Sequence, residues 1–305
     1  MTTMKNGVWL TMITPFTAEG RIDYSAVESM LDFYHQRGVD GVFAICQSSE
    51  MFHLSLAERV ELIRFIEKNR ASEIQVIVSG HIADDVDNQL REAKEIFCDG
   101  VSAYVILPNR FATVDESDDV LLKRLERFVQ GFAGVPLGMY ECPFPYKRLL
   151  SPKVLKWCVN SGRFLFIKDT CCDLDQIREK LNLIHGTGLK LYNANSATLL
   201  ESLRMGVSGY SGVMANIHPE FYVWLCHHYQ EDTVKADRVQ SFLSVCSMAE
   251  YQYYPTNAKY ALSQQGIKMH ALSRVQDAGL FGEREKREIR QLNALSQWMR
   301  DVVSI

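Results

Sequence analysis

Short apolar runs alternate with longer amphipathic stretches over most of this chain, and that rhythm restricts its fold more than any single motif. The runs are GVWLTMI (7–13), GVFAIC (41–46), IQVIVSG (74–80), VSAYVIL (101–107), VPLGMYE (135–141), FLFIK (164–168), LKLYNA (189–194) and VSGYSGV (207–213). Each reads as a buried strand. The stretches between them carry helical periodicity. Residues 26–38 put Val27, Met30, Leu31 and Tyr34 on one face and close at Gly38, and 56–69 do the same with Leu56, Val60, Ile63 and Ile66. Residues 84–100 and 118–132 repeat the pattern. Connections of this length exclude hairpins and require parallel strands joined by crossover helices.

Two architectures satisfy that pattern, an open doubly wound sheet and a closed (β/α)8 TIM barrel. Eight strand–helix units in just over 200 residues favour the barrel. No G-x-G-x-x-G follows the first strand, which removes the usual support for a dinucleotide-binding sheet. Beyond residue 215 the pattern is helical only, around 219–230, 234–250, 256–265 and 283–302. The expected organisation is therefore a barrel over 1–218 and a C-terminal helical extension over 219–305 packed on it.

Charge and composition remove several functional classes. A formal net charge of -4 argues against a nucleic-acid binder and against a polybasic membrane anchor. No apolar run approaches the ~20 residues needed to span a bilayer. The opening MTTMKNGVWLTMITPF is interrupted by Lys5, Asn6 and Pro15 and lacks a signal-peptide pattern, so a cytoplasmic location is expected. The eight cysteines form no C-x-x-C pair, and the eight histidines form no H-E-x-x-H. Free, reduced and largely buried thiols are expected, with no metal.

The reactive side chains gather at the ends of the apolar runs, where a barrel of this kind builds its site. The sixth run, RFLFIKDTCC (163–172), passes from four large apolar residues directly into Lys168 and Asp169. A lysine there either snorkels to water or sits where its charge is disfavoured. Burial among apolar groups lowers a lysine's pKa towards ~7–8 and makes the free amine a usable nucleophile. Asp169 opposes that shift only if it points into the site, and its adjacent position turns it away. The second run ends in CQSSE, placing Gln47, Ser48, Ser49 and Glu50 at the rim. The fifth ends at Tyr140, and the eighth in GYSG with Ser211 and Gly212. A tyrosine can pass protons, and paired serines with their amides can hold a carboxylate.

In shared order and spacing, LTMITPF, GVDG, SSE-x-x-x-L-S-x-x-E-R, Y-x-x-P, IKDT, GVSGYSG and YPTNAKYAL resemble the dihydrodipicolinate synthase and N-acetylneuraminate lyase family. That resemblance covers essentially the whole chain and implies a class I Schiff-base, pyruvate-dependent enzyme. It implies that Lys168 forms the imine, that Tyr140 shuttles protons, and that Ser48, with Ser49 beside it, grips the keto acid's carboxylate. It further implies no dissociable cofactor, pyruvate and an aldehyde as small-molecule partners, and a homodimer or homotetramer.

Several positions depart from the family. Gln47 stands where the synthase subgroup has a relaying hydroxyl residue. Asn109 and Arg110 stand where that subgroup's second tyrosine falls, and Pro145 where its substrate-binding arginine falls. Lys147 and Arg148 lie further along the same loop, and Glu141 replaces an asparagine, which implies an altered second half of the substrate pocket. These departures speak against the lysine-biosynthetic enzyme. Lyase chemistry on a 2-keto acid is the leading expectation. A dehydratase of a sugar-derived 2-keto-3-deoxy acid and a non-catalytic keto-acid binder are the alternatives.

Overall fold

The computed structural model describes residues 3–305. Eight parallel strands follow one another in sequence order and close into a barrel, as the alternation predicts. They are β1 (Gly7–Thr11), β2 (Gly41–Phe43), β3 (Gln75–Val78), β4 (Ala103–Ile106), β5 (Leu137–Tyr140), β6 (Phe164–Asp169), β7 (Lys190–Asn193) and β8 (Gly209–Tyr210). Pairing of Gly7 and Val8 with Gly209 and Tyr210 closes the ring. Between the strands run α1 (Tyr24–Gln36), α2 (Leu56–Asn69), α3 (Val86–Ile96), α4 (Asp118–Gly131), α5 (Pro152–Ser161), α6 (Leu174–Ile184) and α7 (Leu199–Met205). After β8 come α8 (Pro219–His228), α9 (Thr233–Cys246), α10 (Thr256–Gln264) and α11 (Glu283–Val303). Helix α8 packs on β1 and β8 and on α9, while α11 packs on both α9 and α10. Among the described residues, no helix is long and apolar enough to cross a membrane.

Several strands are shorter than the apolar runs that announce them, most of all β2 and β8. Ala44, Ile45 and Cys46 follow β2 and are still buried. Their apolar character therefore marks burial where the chain turns over the barrel's top, not further strand. Helix starts are set by side chains that take up otherwise unpaired amides. The Asp23 carboxylate accepts the Ala26 N–H, and Ser55 with Glu58 forms a reciprocal capping box on α2.

Inside the barrel an aromatic layer lies below the strands' C-terminal ends. The Trp9 ring stacks on Phe166 at 6.5 Å and meets Tyr192 edge-on at 6.0 Å. The Lys5 carbonyl accepts hydrogen bonds from both Trp9 Nε1 and the Tyr192 hydroxyl, which ties the N-terminal segment across the bottom. Room for these rings comes from two glycines. A Cβ on Gly41 would lie 2.5 Å from the Trp9 ring, and one on Gly138 would lie 2.2 Å from Phe166.

The C-terminal helices are fastened to the barrel mouth by a buried ion pair. Lys259 of α10 donates to Glu50 at 2.5 Å, and neither side chain has solvent exposure. Glu50 holds left-handed backbone at φ 60 and also accepts from the Ser273 hydroxyl and the Arg274 amide. Its role in the fold is thus a clamp between the β2 turn and the segment after α10.

Because the layer around Phe166 is closed, Gly138→Ala must displace an aromatic ring. The expected cost is ~1–3 kcal/mol of unfolding free energy, read as a lower urea midpoint at unchanged slope.

Candidate active site at the strand C-termini

Tyr140 and Lys168 are Cα partners at the ends of β5 and β6. Side chains alternate along a strand, so residues in register share a face and their successors share the opposite one. Lys168 turns inward and is 3% exposed. Its Nζ lies 4.4 Å from the Tyr140 ring centroid and 5.6 Å from that of Phe43. Burial pulls the amine down from 10.5 to about 8, against a smaller opposing effect of the Cys46 and Cys142 thiols beside it. Burial also lifts the Tyr140 phenol well above its ordinary value, so it stays protonated and serves as a donor.

Glu141 and Asp169 turn outward, towards α6. Lys180 of α6 donates to Glu141 at 2.6 Å and also to Asp169, and both carboxylates are fully buried. Glu141 accepts the Leu150 and Thr170 amides as well, and Asp169 accepts that of Cys171. Burial works to discharge Lys180, but the two carboxylates outweigh it and hold the ammonium above its usual range. Reading Glu141 as part of the substrate pocket is corrected here: the period-two alternation that brings Tyr140 inward carries its neighbour out.

Other rim residues divide between the cavity and the scaffold. A cavity of about 200 Å³ opens above Tyr140, lined by Gln47, Ser48, Phe52, Phe144, Val213 and Tyr254 among others. The Ser48 hydroxyl stands beside that of Tyr254. Ser49 lies just below, its hydroxyl closed on its own turn: it accepts the Cys46 N–H at 2.6 Å and donates to the Cys46 carbonyl at 2.7 Å. The Ser48 and Ser49 amides face the Cys46 sulfur. Gln47 lines the cavity and accepts from the Cys142 thiol at 3.4 Å, while Cys142 adjoins the Tyr140 phenol. Ser211 is buried and its Oγ has no protein partner. Gly212 is held by packing, since a Cβ there would meet the Tyr210 hydroxyl at 2.1 Å; the next residue, Val213, reaches the cavity.

The cationic candidates are committed elsewhere. Arg110 donates to the Ile82 and Ala83 carbonyls and pairs with Asp84. Arg148 pairs with Asp118 and donates to the Thr113 and Glu116 carbonyls, and Lys147 donates to that of Thr170. Asn109 donates to the carbonyls of Cys142, Phe144 and Tyr146, fixing the loop after β5. All eight cysteines are free, four of them buried. Among the described residues, no group of three or more His, Cys, Asp or Glu could hold a metal ion.

Sequence reasoning misses Tyr254, Cys142 and Lys180. Tyr254 arrives from the far C-terminal segment, its hydroxyl accepting from Asn216 at 3.3 Å, and only the proline after it marks the position. Lys180 carries a signal that was readable: it shares the buried face of α6 with Ile177 and Ile184, a spacing at which a lysine needs a buried partner.

A family model described as the dihydrodipicolinate synthetase family matches residues 4–286. The chain belongs to that family. Among curated dihydrodipicolinate synthetase relatives, a 4-hydroxy-tetrahydrodipicolinate synthase from Shewanella sp. (strain W3-18-1) is 24% identical over 73% of this chain and 74% of its own length. The corresponding enzyme of Shewanella piezotolerans is 23% identical over 87% and 89%. Among solved structures, a prophage protein of the family from E. coli K12, in complex with pyruvate, superposes with a TM-score of 0.84 at 20% identity, covering 97% and 98% of the two chains. The Acinetobacter baumannii dihydrodipicolinate synthase, also complexed with pyruvate, gives 0.84 at 18% identity over 97% and 99%. At these identities the structural likeness establishes the fold.

Removing the cation between the two outward carboxylates leaves uncompensated buried charge. Lys180→Met is expected to lower stability by ~3–5 kcal/mol in urea titrations at neutral pH. Burial already holds the Glu141 carboxyl above its usual value and Lys180 opposes it, so losing Lys180 raises it further. A folded value above the unfolded one favours the native state at low pH, so the deficit should shrink as pH falls towards the unfolded carboxylate range.

Proposed function

We propose that this chain is a Schiff-base lyase that makes or cleaves a carbon–carbon bond between pyruvate and an aldehyde. The observation that carries this reading is the Lys168 amine, buried beside the Tyr140 ring with its value pulled down to about 8. At pH 7 roughly a tenth of such an amine is neutral, against roughly one part in three thousand at 10.5. Family membership and the pyruvate complexes of two structural neighbours support the same substrate.

In the condensing direction, the Lys168 amine attacks the 2-keto carbon of pyruvate, and loss of water leaves an iminium. The Ser48 hydroxyl and the amides of its turn hold the carboxylate and so orient the keto group. The iminium withdraws electrons from C3, the C3 proton passes to the Tyr140 phenolate left when the phenol protonated the departing water, and the resulting enamine attacks the aldehyde carbon. The new alkoxide takes a proton from Tyr140, and water then releases the 4-hydroxy-2-keto acid and the free amine. Cleavage runs the same steps backwards. Gln47 offers only an amide at the position beside Cys142, so no hydroxyl relay continues from Tyr140 through that position.

Borohydride trapping with pyruvate, read by intact mass, tests the reading. Wild type should gain the reduced adduct and Lys168→Ala should not; no adduct with wild type across several 2-keto acids would refute it. Trapping at limiting pyruvate should accelerate as pH rises through about 8, because the neutral amine is the reacting form. Tyr140→Phe should slow turnover by ~10²-fold or more while preserving the fold.

A further inference from the structure

Resting on the Schiff-base reading, we propose that the aldehyde partner is uncharged and carries an apolar aryl or short alkyl substituent. The apolar part of the cavity lining is built from Phe52, Pro143, Phe144, Val213, Pro255 and Val275. Phe52 and Phe144 meet edge-to-face, with ring centroids 4.8 Å apart. Phe144 is 47% exposed, as is Val275, so both present apolar surface at the opening. A flat apolar group inserted there gains contact with two ring edges or faces.

An anionic aldehyde would find no arginine or lysine in that lining. The cations packed against Phe52, Val275 and Glu50 already have carboxylate partners. Arg274, next to Val275, pairs with Glu58 at 2.6 Å and donates to the His53 and Gly20 carbonyls. Lys259 is closed on Glu50 and the Leu272 carbonyl. Arg110 stands behind Phe52, 6.0 Å from its centroid, with its guanidinium donating to the carbonyls and carboxylate of 82–84. His53, exposed at the edge, is the one lining side chain able to carry positive charge. Desolvating a carboxylate or phosphate without a partner is unfavourable. A polyhydroxylated aldehyde fares little better, because several polar lining groups are already engaged, Glu50 with Lys259, Ser273 and Arg274, Gln47 with the Cys142 thiol, and Ser48 with Tyr254.

The reaction keeps its atom balance with such a partner: the C3 carbon of the Lys168-bound enamine bonds to the aldehyde carbon, Tyr140 protonates the oxygen, and water frees the product. The test compares matched aldehydes with pyruvate, following the 4-hydroxy-2-keto acid by NMR: benzaldehyde against 4-carboxybenzaldehyde, and butanal against glyceraldehyde. The expected result is a kcat/KM for benzaldehyde at least tenfold above that for its carboxylated counterpart, and a like preference for butanal. Val275→Arg should raise the use of 4-carboxybenzaldehyde relative to benzaldehyde by tenfold or more. Pyruvate–borohydride trapping on the same preparation separates the two readings. Absence of the Lys168 adduct refutes the Schiff-base reading itself. An adduct accompanied by preference for the charged or hydroxylated aldehydes, or by no condensation with any of the four, overturns the inference while leaving the imine intact.

Discussion

Everything at the barrel mouth depends on a parity rule at the ends of two neighbouring strands. Tyr140 and Lys168 are in register and face inward, so Glu141 and Asp169 must face the helices. That single-residue offset separates a low-charge compartment from a fully charged one across the thickness of a strand. Had Asp169 faced the cavity, its carboxylate would have held Lys168 as an ammonium and the amine would be inert. Lys180 completes the separation by binding both carboxylates on the outer side. Two lysines one helix apart are thereby driven in opposite directions by their surroundings, one pulled towards the neutral amine and one held as an ammonium.

The inner compartment owes its character to what lies under and over it. Beneath, the Trp9, Phe166 and Tyr192 rings fill the barrel and leave little for a polar group to bond with. Above, the wall comes from four separate stretches: the β2 turn with Ser48, the loop after β5 with Phe144, Val213 after β8, and the C-terminal segment with Tyr254 and Val275. Asn109 contributes without reaching the cavity, because its amide organises three carbonyls of the β5 loop.

How far the sequence reveals this arrangement follows from the range of the interactions involved. The barrel is legible because strand and helix periodicities are local and repeat eight times. Lys168 and Tyr140 are legible because a reactive residue ending an apolar run needs no knowledge of its partners. Glu141 misleads, since its proximity to Tyr140 in sequence suggests proximity in space, whereas alternation sends it elsewhere. Tyr254 and Cys142 are invisible for the opposite reason. Their relevance comes from contacts with Ser48 and Gln47, more than 90 residues away along the chain, which no pattern encodes. Strand ends are overestimated wherever buried residues run on past the last ladder pair, as Ile45 and Cys46 do.

The Glu50–Lys259 clamp has a consequence for how the molecule comes into being. Glu50 sits in the turn that carries Ser48, and its charge has no buried partner until Lys259 has been made, 209 residues later. Without that partner the Glu50 carboxylate would have to stay hydrated, because a buried unpaired charge is costly. This corner of the barrel mouth therefore cannot be completed by the eight strands and their helices alone: it needs the tenth helix, which reaches back to the turn after the second strand.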